Sequence, residues 1–178
     1  QLDFTTKIFR ARGLHLDDRH VRCSDGTSFS ASIVDATLYI VNNYKVLQAS
    51  GASLVLYLPK IQTAEEAALW GDILDALERH LGLAAGSIKA YVLVEQLEES
   101  FQLMEIRAAL GLHFVGFNTG RWDYINSVSD AMAWDQSFIN PNIDTITMTY
   151  GYMRNYRSEE HTSELSHGYI SYAVFCLK

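Results

Sequence analysis

Three short runs of this chain are almost wholly apolar: residues 54–58 (LVLYL), 90–94 (AYVLV) and 114–117 (FVGF). A run of four or five residues without polar alternation suits a strand buried on both faces, and such strands belong to parallel sheets covered by helices. Each run is followed by a helix-length segment. Thr63 is an N-cap candidate with Glu65 and Glu66 in the first turn, for a helix from 64 to about 81 that Gly82 ends. Ser30 heads a helix running to about Ala49, with Ile33, Leu38, Val41 and Leu47 on or near one face and Gly51 as the stop. Further helices are expected over 97–110 and 125–134, and further strands over 5–11 and 145–149. A short extended stretch around Val21 leads into the turn Ser24-Asp25-Gly26. Five strands thus alternate with four helices, which predicts an α/β domain with a parallel sheet and helical crossovers. A doubly wound sheet and part of a barrel both satisfy that pattern. A complete eight-unit barrel takes about 250 residues, so on the barrel reading the 178 residues hold a partial (β/α)8 TIM barrel with five strand-helix units.

Charge excludes some classes of partner. Lys plus Arg number 14 against 21 Asp plus Glu, a net charge of −7. Binding to nucleic acid or to a membrane surface needs clustered cations, so neither is expected. No apolar run approaches the length of a spanning helix, and no basic-then-apolar leader opens the chain. Cys23 and Cys176 fit no zinc spacing and form no disulfide framework.

Polar residues sit directly after the apolar strands, at what would be the carboxyl edge of the sheet, where α/β active sites are built. Arg10 and Arg12 end the first strand, Lys60 follows the second, and Glu95 follows the third. Gly120, Arg121, Trp122 and Asp123 follow the fourth. These groups converge if the sheet curls into a barrel. Glu95 and Asp123 lie one strand-helix unit apart, so they occupy equivalent ends of adjacent strands. Two carboxylates so placed repel unless a cation lies between them, and hard oxygen ligands on a partly open site suit Mg²⁺. The plainer alternative makes Glu95 a helix cap and Asp123 a loop carboxylate. Arg12 either clamps a carboxylate or stabilises an oxyanion, or is a surface or ion-paired arginine. Asn118-Thr119-Gly120 either offers N–H groups to an anion or is a simple turn. His15 and His20 beside Asp17 and Asp18 read as a solvated loop, and His80 and His113 as helix-end or surface residues. No nucleotide-binding glycine pattern and no serine or cysteine nucleophile arrangement is present.

Several stretches together carry a family resemblance: RARGLHLDDRHV (10–21), FSASIVDATLYIVNN (29–43), LYLPKIQTAEEAALW (56–70), GSIKAYVLVEQLEESFQLMEI (86–106) and GFNTGRWDYINS (116–127). In this order they resemble malate synthase over about residues 8–156, most specifically in NTGRWDYI and the IKA-x-VLVE strand. The family often has Pro where Ala11 stands. The resemblance implies a Mg²⁺-dependent TIM barrel that condenses acetyl-CoA with glyoxylate and water to malate and CoA. It implies that Glu95 and Asp123 ligate Mg²⁺ and that Arg12 stabilises the developing enolate and alkoxide. It implies further that the segment Gly120, Arg121, Trp122, Asp123 holds glyoxylate, through the N–H groups of Trp122 and Asp123. The base that deprotonates the acetyl methyl would lie beyond Tyr156, so the chain as given is expected to be inactive. A malyl-CoA or citryl-CoA lyase-like enzyme, and a non-catalytic module binding Mg²⁺ and an oxo-acid, are the competing readings. The expected compartment is cytoplasmic, or peroxisomal or glyoxysomal in a eukaryote.

Residues 157–178 read RSEEHTSELSHGYISYAVFCLK, which resembles the conceptual translation of a common sequencing adapter. AGA TCG GAA GAG CAC ACG TCT GAA CTC encodes RSEEHTSEL, and ATC TCG TAT GCC GTC TTC TGC TTG encodes ISYAVFCL. The adapter would also place a Gln between Leu165 and Ser166, which is absent here. The expected organisation is therefore an incomplete TIM-barrel catalytic domain over 1–156 and a non-native tail over 157–178. The alternative is a genuine loop and a strand at 170–175.

Overall fold

The apolar runs form the middle of one parallel sheet. In the computed structural model, which describes the backbone of residues 7–165 and side chains as far as Ser158, the strands are β1 (Phe9–Arg10), β2 (Asp17–Arg22), β3 (Ser28–Ser30), β4 (Leu54–Leu58), β5 (Ile88–Val94) and β6 (Phe114–Thr119). The helices are α1 (Ala31–Ala49), α2 (Ala64–Leu81), α3 (Leu103–Leu110), α4 (Arg121–Ala131) and α5 (Gly151–Leu165). The main sheet has the order β1-β4-β5-β6, with every neighbouring pair parallel. Each of these strands pairs with the next one in chain order. A doubly wound sheet reverses direction at a switch point; a monotonic order is the winding of a barrel. The strand order therefore decides between the two architectures that the sequence pattern left open.

The core lies between this sheet and its helices. Leu56, Leu58, Ile88, Val92 and Phe117 are fully buried, in one cluster with Ile40 of α1, Trp70 and Leu74 of α2, Ile106 and Leu110 of α3 and Ile125 of α4. Each such side chain contributes about 1.5–3 kcal/mol by leaving water. The ends of α2 form as the residues dictate. Thr63 Oγ1 accepts from the Glu66 N–H at 3.3 Å, and Gly82 takes the left-handed conformation, φ 67°.

Three expectations are corrected. The segment 145–149 is not a strand: a 3₁₀ turn covers Ile143–Thr145 and α5 begins at Gly151. Its threonines make local bonds instead, Thr145 Oγ1 to the Asn142 carbonyl at 2.6 Å and Thr147 to Thr149 at 2.7 Å, and these compete with strand pairing. The helix expected over 97–110 is split into a 3₁₀ turn, Glu99–Phe101, and α3. The Glu99 side chain turns back to the Glu95 N–H, 3.0 Å away, and Gln102 Oε1 accepts from the Ala64 N–H at 3.1 Å. The extended stretch expected around Val21 is present, as half of an antiparallel hairpin, β2 with β3, separate from the main sheet. The fourth helix starts at Arg121, not near 125. Among the described residues no helix is long and apolar enough to cross a membrane. The segment 170–175 and Cys176 lie outside the described residues.

Candidate functional site

The register of β5 against β6 builds the site. Val94 pairs with Thr119, so the next residues, Glu95 and Gly120, emerge side by side past the strand ends. Gly120 is needed there for space. A Cβ on it would lie 2.8 Å from Glu95 Cβ, 3.2 Å from Glu95 Oε2 and 3.2 Å from Leu93 Cδ1. Glu95 is 1% exposed. Its carboxyl is pushed up to about 7, first by burial and then by a hydrogen bond with Asp123, whose carboxyl the same bond and Lys60 hold below the usual range. The two acids thus form a single acidic focus beside Lys60, in which Glu95 resists ionisation and Asp123 favours it.

Cations from the neighbouring strand ends face that focus. Lys60 Nζ lies 3.0 Å from Asp123 Oδ1 and 3.9 Å from Glu95 Oε1, and Arg10 Nη2 lies 4.0 Å from Glu95 Oε2. The Lys60 backbone N–H donates to Glu95 Oε1 at 2.8 Å. Convergence of Arg10, Lys60, Glu95 and Asp123 is what the strand-end pattern anticipated, although it gave Lys60 no role. A cavity of about 270 Å³ adjoins Lys60, lined also by His15, Gln62, Glu66 and Gln96.

Asp123 stands in the first turn of α4, where the helix dipole favours an anion. The N–H groups of that first turn, at Arg121, Trp122 and Asp123, have no acceptor within the helix. The Arg121 guanidinium lies over the Trp122 ring, 4.3 Å from its centroid. Its Nε is buried and takes no hydrogen bond among the described residues. Gly120 differs: its N–H is already shared between the Val94 carbonyl and the Tyr156 hydroxyl, each at 2.8 Å.

Arg12 is engaged by two other carboxylates. Nε and Nη2 donate to Asp35 at 2.8 and 2.7 Å, and Nη2 also to Asp18 at 2.8 Å. These bonds raise the guanidinium's proton affinity and hold the Asp35 carboxyl below the usual range, while Asp18 is held low first by the Val21 N–H and then by Arg12. The reading of 15–20 as a solvated loop is corrected here. Asp17 begins β2, and Asp18 is buried, with Oδ1 accepting from the N–H groups of His20 and Val21 at 2.7 Å each. Nothing in local sequence signals the Asp35 partnership, because 23 residues separate it from Arg12.

Buried acid continues behind Glu95. Glu99 is fully buried; Oε2 accepts from the Glu95 N–H at 3.0 Å, while Oε1 has no partner among the described residues. Burial pushes its carboxyl well up.

A second cluster sits at the opposite, amino-terminal end of β5. Ligand atoms of Asp75, Glu78 and His113 all lie within 4.8 Å of one another, a group able to hold a metal ion. Its atoms already have protein partners. Glu78 accepts from the N–H groups of Gly86 at 2.9 Å and Ile88 at 2.7 Å, and the His113 ring bonds the Ile88 carbonyl at 2.8 Å and Asp75 at 3.1 Å. This cluster ties α2 to the start of β5. Of the two placements expected for His113, the helix end holds, at the close of the 3₁₀ turn Gly111–His113, and the surface does not: it is 3% exposed.

The family model of the malate synthase TIM barrel domain matches residues 6–168. The chain is 45% identical over 150 residues to a bifunctional glyoxylate cycle protein of Caenorhabditis elegans, covering 84% of this chain and 15% of that protein. It is 39% identical over 149 residues to malate synthase A of Escherichia coli, covering 84% and 28%. With the glyoxysomal malate synthase of Candida tropicalis it shares 40% over 151 residues, covering 85% and 27%. The chain therefore spans less than a third of each of these relatives. Among solved structures, a citrate lyase from Burkholderia xenovorans LB400 superposes with a TM-score of 0.50 at 18% identity, covering 80% of this chain and 51% of that one, a likeness of fold alone.

Proposed function

From the premise that the chain belongs to the malate synthase family, we propose that its strand-end cluster is the metal- and glyoxylate-binding part of a site for condensing acetyl-CoA with glyoxylate and water to malate and CoA. The observation that carries this reading is the facing pair Glu95 and Asp123, with the Lys60 ammonium 3.0 Å from Asp123. A buried acid that resists ionisation beside a second acid and a lysine is a place suited to a divalent cation, and hard oxygen donors fit Mg²⁺. When bound, Mg²⁺ supplies Lewis acidity and a template for an oxo-acid.

The chain's own residues divide the remaining work. Glu95 and Asp123 hold the metal. The first-turn N–H groups of Trp122 and Asp123 are free of the helix ladder and suit a small carboxylate. Arg121 Nε, a buried donor without a described partner, is suited to the same anion. Arg12, fixed by Asp35 and Asp18, keeps Nη1 free of hydrogen bonds among the described residues and offers fixed positive charge to a developing oxyanion. The cavity beside Lys60 and Gln96 gives room for a substrate. Residues 157–178 are outside this reading, and we propose them to be translated adapter sequence; reading the source locus past the Tyr156 codon tests that. For the compartment the proposal is the cytoplasm, or a peroxisome or glyoxysome in a eukaryote, the last being the compartment in the name of the Candida tropicalis relative.

Calorimetry of the full chain with Mg²⁺, then with glyoxylate in the presence and absence of Mg²⁺, tests the proposal. Mg²⁺ is expected to bind, glyoxylate to bind only with Mg²⁺ present, and Asp123→Asn or Glu95→Gln to weaken both by about tenfold or more. Binding untouched by either substitution sinks the assignment. No malate is expected from acetyl-CoA and glyoxylate with this chain, and measurable turnover would overturn that expectation.

A further inference from the structure

We propose that Tyr156 is a positioning residue that sets the spacing of Glu95 and Asp123, and through it the affinity for a divalent cation. The inference rests on the metal reading above. Tyr156 lies on α5 and is 2% exposed. Its hydroxyl donates to the Val94 carbonyl and accepts from the Gly120 N–H at 2.8 Å. Its ring stacks on Tyr124, centroids 3.9 Å apart and planes 12° from parallel.

The neighbours of these contacts give them their meaning. Val94 directly precedes Glu95. Gly120 opens the segment that carries Asp123, and Tyr124 directly follows it. One side chain therefore grips both acid-bearing segments. The grip comes where the β5–β6 register ends, at Val94 and Thr119. Past that point the two acids ride on a loop and a helix start, and a small change in strand-end separation passes directly to the carboxyl spacing. A hydroxyl that both donates and accepts is able to fix that separation; a phenyl ring of the same shape is not. If Tyr156 merely packs, its hydroxyl matters to stability and not to the cation.

The test compares Mg²⁺ affinity of the full chain with that of Tyr156→Phe, which keeps the ring and loses the bridge. Groups that orient metal ligands typically matter by about 10-fold or more in affinity, so Mg²⁺ binding is expected to weaken by roughly tenfold, and further in Tyr156→Leu, which also loses the stack. Ile106→Val, a core change remote from the acids in sequence, is the control for stability alone and is expected to leave Mg²⁺ binding unchanged. Equal affinity of Tyr156→Phe and the parent chain overturns the inference and leaves the metal reading standing. Absence of Mg²⁺ binding in the parent chain overturns both. Should Tyr156→Phe fail to fold, hydrogen exchange in the parent chain decides. The Gly120 amide is expected to be as protected as that of Val92, and exchange as fast as an exposed loop amide overturns the bridge.

Discussion

Lys60 donates its backbone N–H to Glu95 Oε1 at 2.8 Å from a left-handed conformation, φ 59°. Among the described residues it is the only non-glycine residue with positive φ. Such a conformation costs on the order of 1–3 kcal/mol and persists where surrounding structure enforces it. Here the charge-assisted bond to a buried carboxyl and the ammonium's contact with Asp123 supply that enforcement. Lys60→Gly separates strain from charge. Its fold is expected to be as stable as the parent or more so, by up to about 1 kcal/mol. Its Glu95 carboxyl is expected to titrate higher, since the nearby cation that favours the ionised form is gone. Carboxyl ¹³C shifts followed against pH measure the second effect.

Cation binding is expected to depend on pH in a definite direction. Glu95 holds its proton up to about pH 7, and a cation must displace it. Below 7 the Mg²⁺ affinity should therefore fall by roughly tenfold per pH unit, with a plateau above 7. Calorimetry at pH 6, 7 and 8 checks this, and in buffers of different ionisation enthalpy it counts the protons released.

Gly120→Ala should damage the site through space alone. The backbone angles there, φ −101° and ψ 79°, do not require glycine, but the new methyl falls 2.8 Å from Glu95 Cβ. Overpacking of this kind costs about 1–3 kcal/mol. The expected result is a folded protein by circular dichroism, with a lower urea midpoint and weakened Mg²⁺ binding.

Glu99→Gln should change the pH dependence of stability. The unfolded chain ionises Glu99 near its ordinary value of 4.5, whereas burial keeps it protonated well above that in the fold. Between those values the folded chain binds the extra proton, so stability falls as pH rises through the window. Glutamine cannot ionise. The variant is expected to gain on the parent as pH rises above about 4.5, and urea unfolding at pH 5 and pH 8 measures the difference.

Glu78→Ala should be costly far from the chemistry. It removes a buried carboxylate and leaves the N–H groups of Gly86 and Ile88 without their acceptor. Each orphaned buried donor costs about 1–3 kcal/mol. Urea unfolding is expected to show the loss. Mg²⁺ binding at the opposite strand ends should survive wherever the variant remains folded.

Much was legible in linear order. The runs around Leu56, Val92 and Phe117 are apolar on both faces, and only a helix-covered parallel strand satisfies them. Thr63, Glu66 and Gly82 specify the ends of α2 through bonds a few residues long. Strand-end placement brought Glu95 and Asp123 together with Arg10 and Lys60, because equivalent positions in adjacent parallel strands share an edge. Other features depend on which strand pairs with which, and in what register. The choice of a barrel over a doubly wound sheet needed the order β1-β4-β5-β6. The failure of 145–149 as a strand, the Asp35 and Asp18 clamp on Arg12, the His113 lock and the Tyr156 bridge all join residues through packing. Local propensity and periodicity act over a turn or a strand, so the sequence determined the elements and the chemistry at their ends. The spacing, protonation and partners of those groups depend on burial and on contacts across tens of residues, which only the tertiary structure decides.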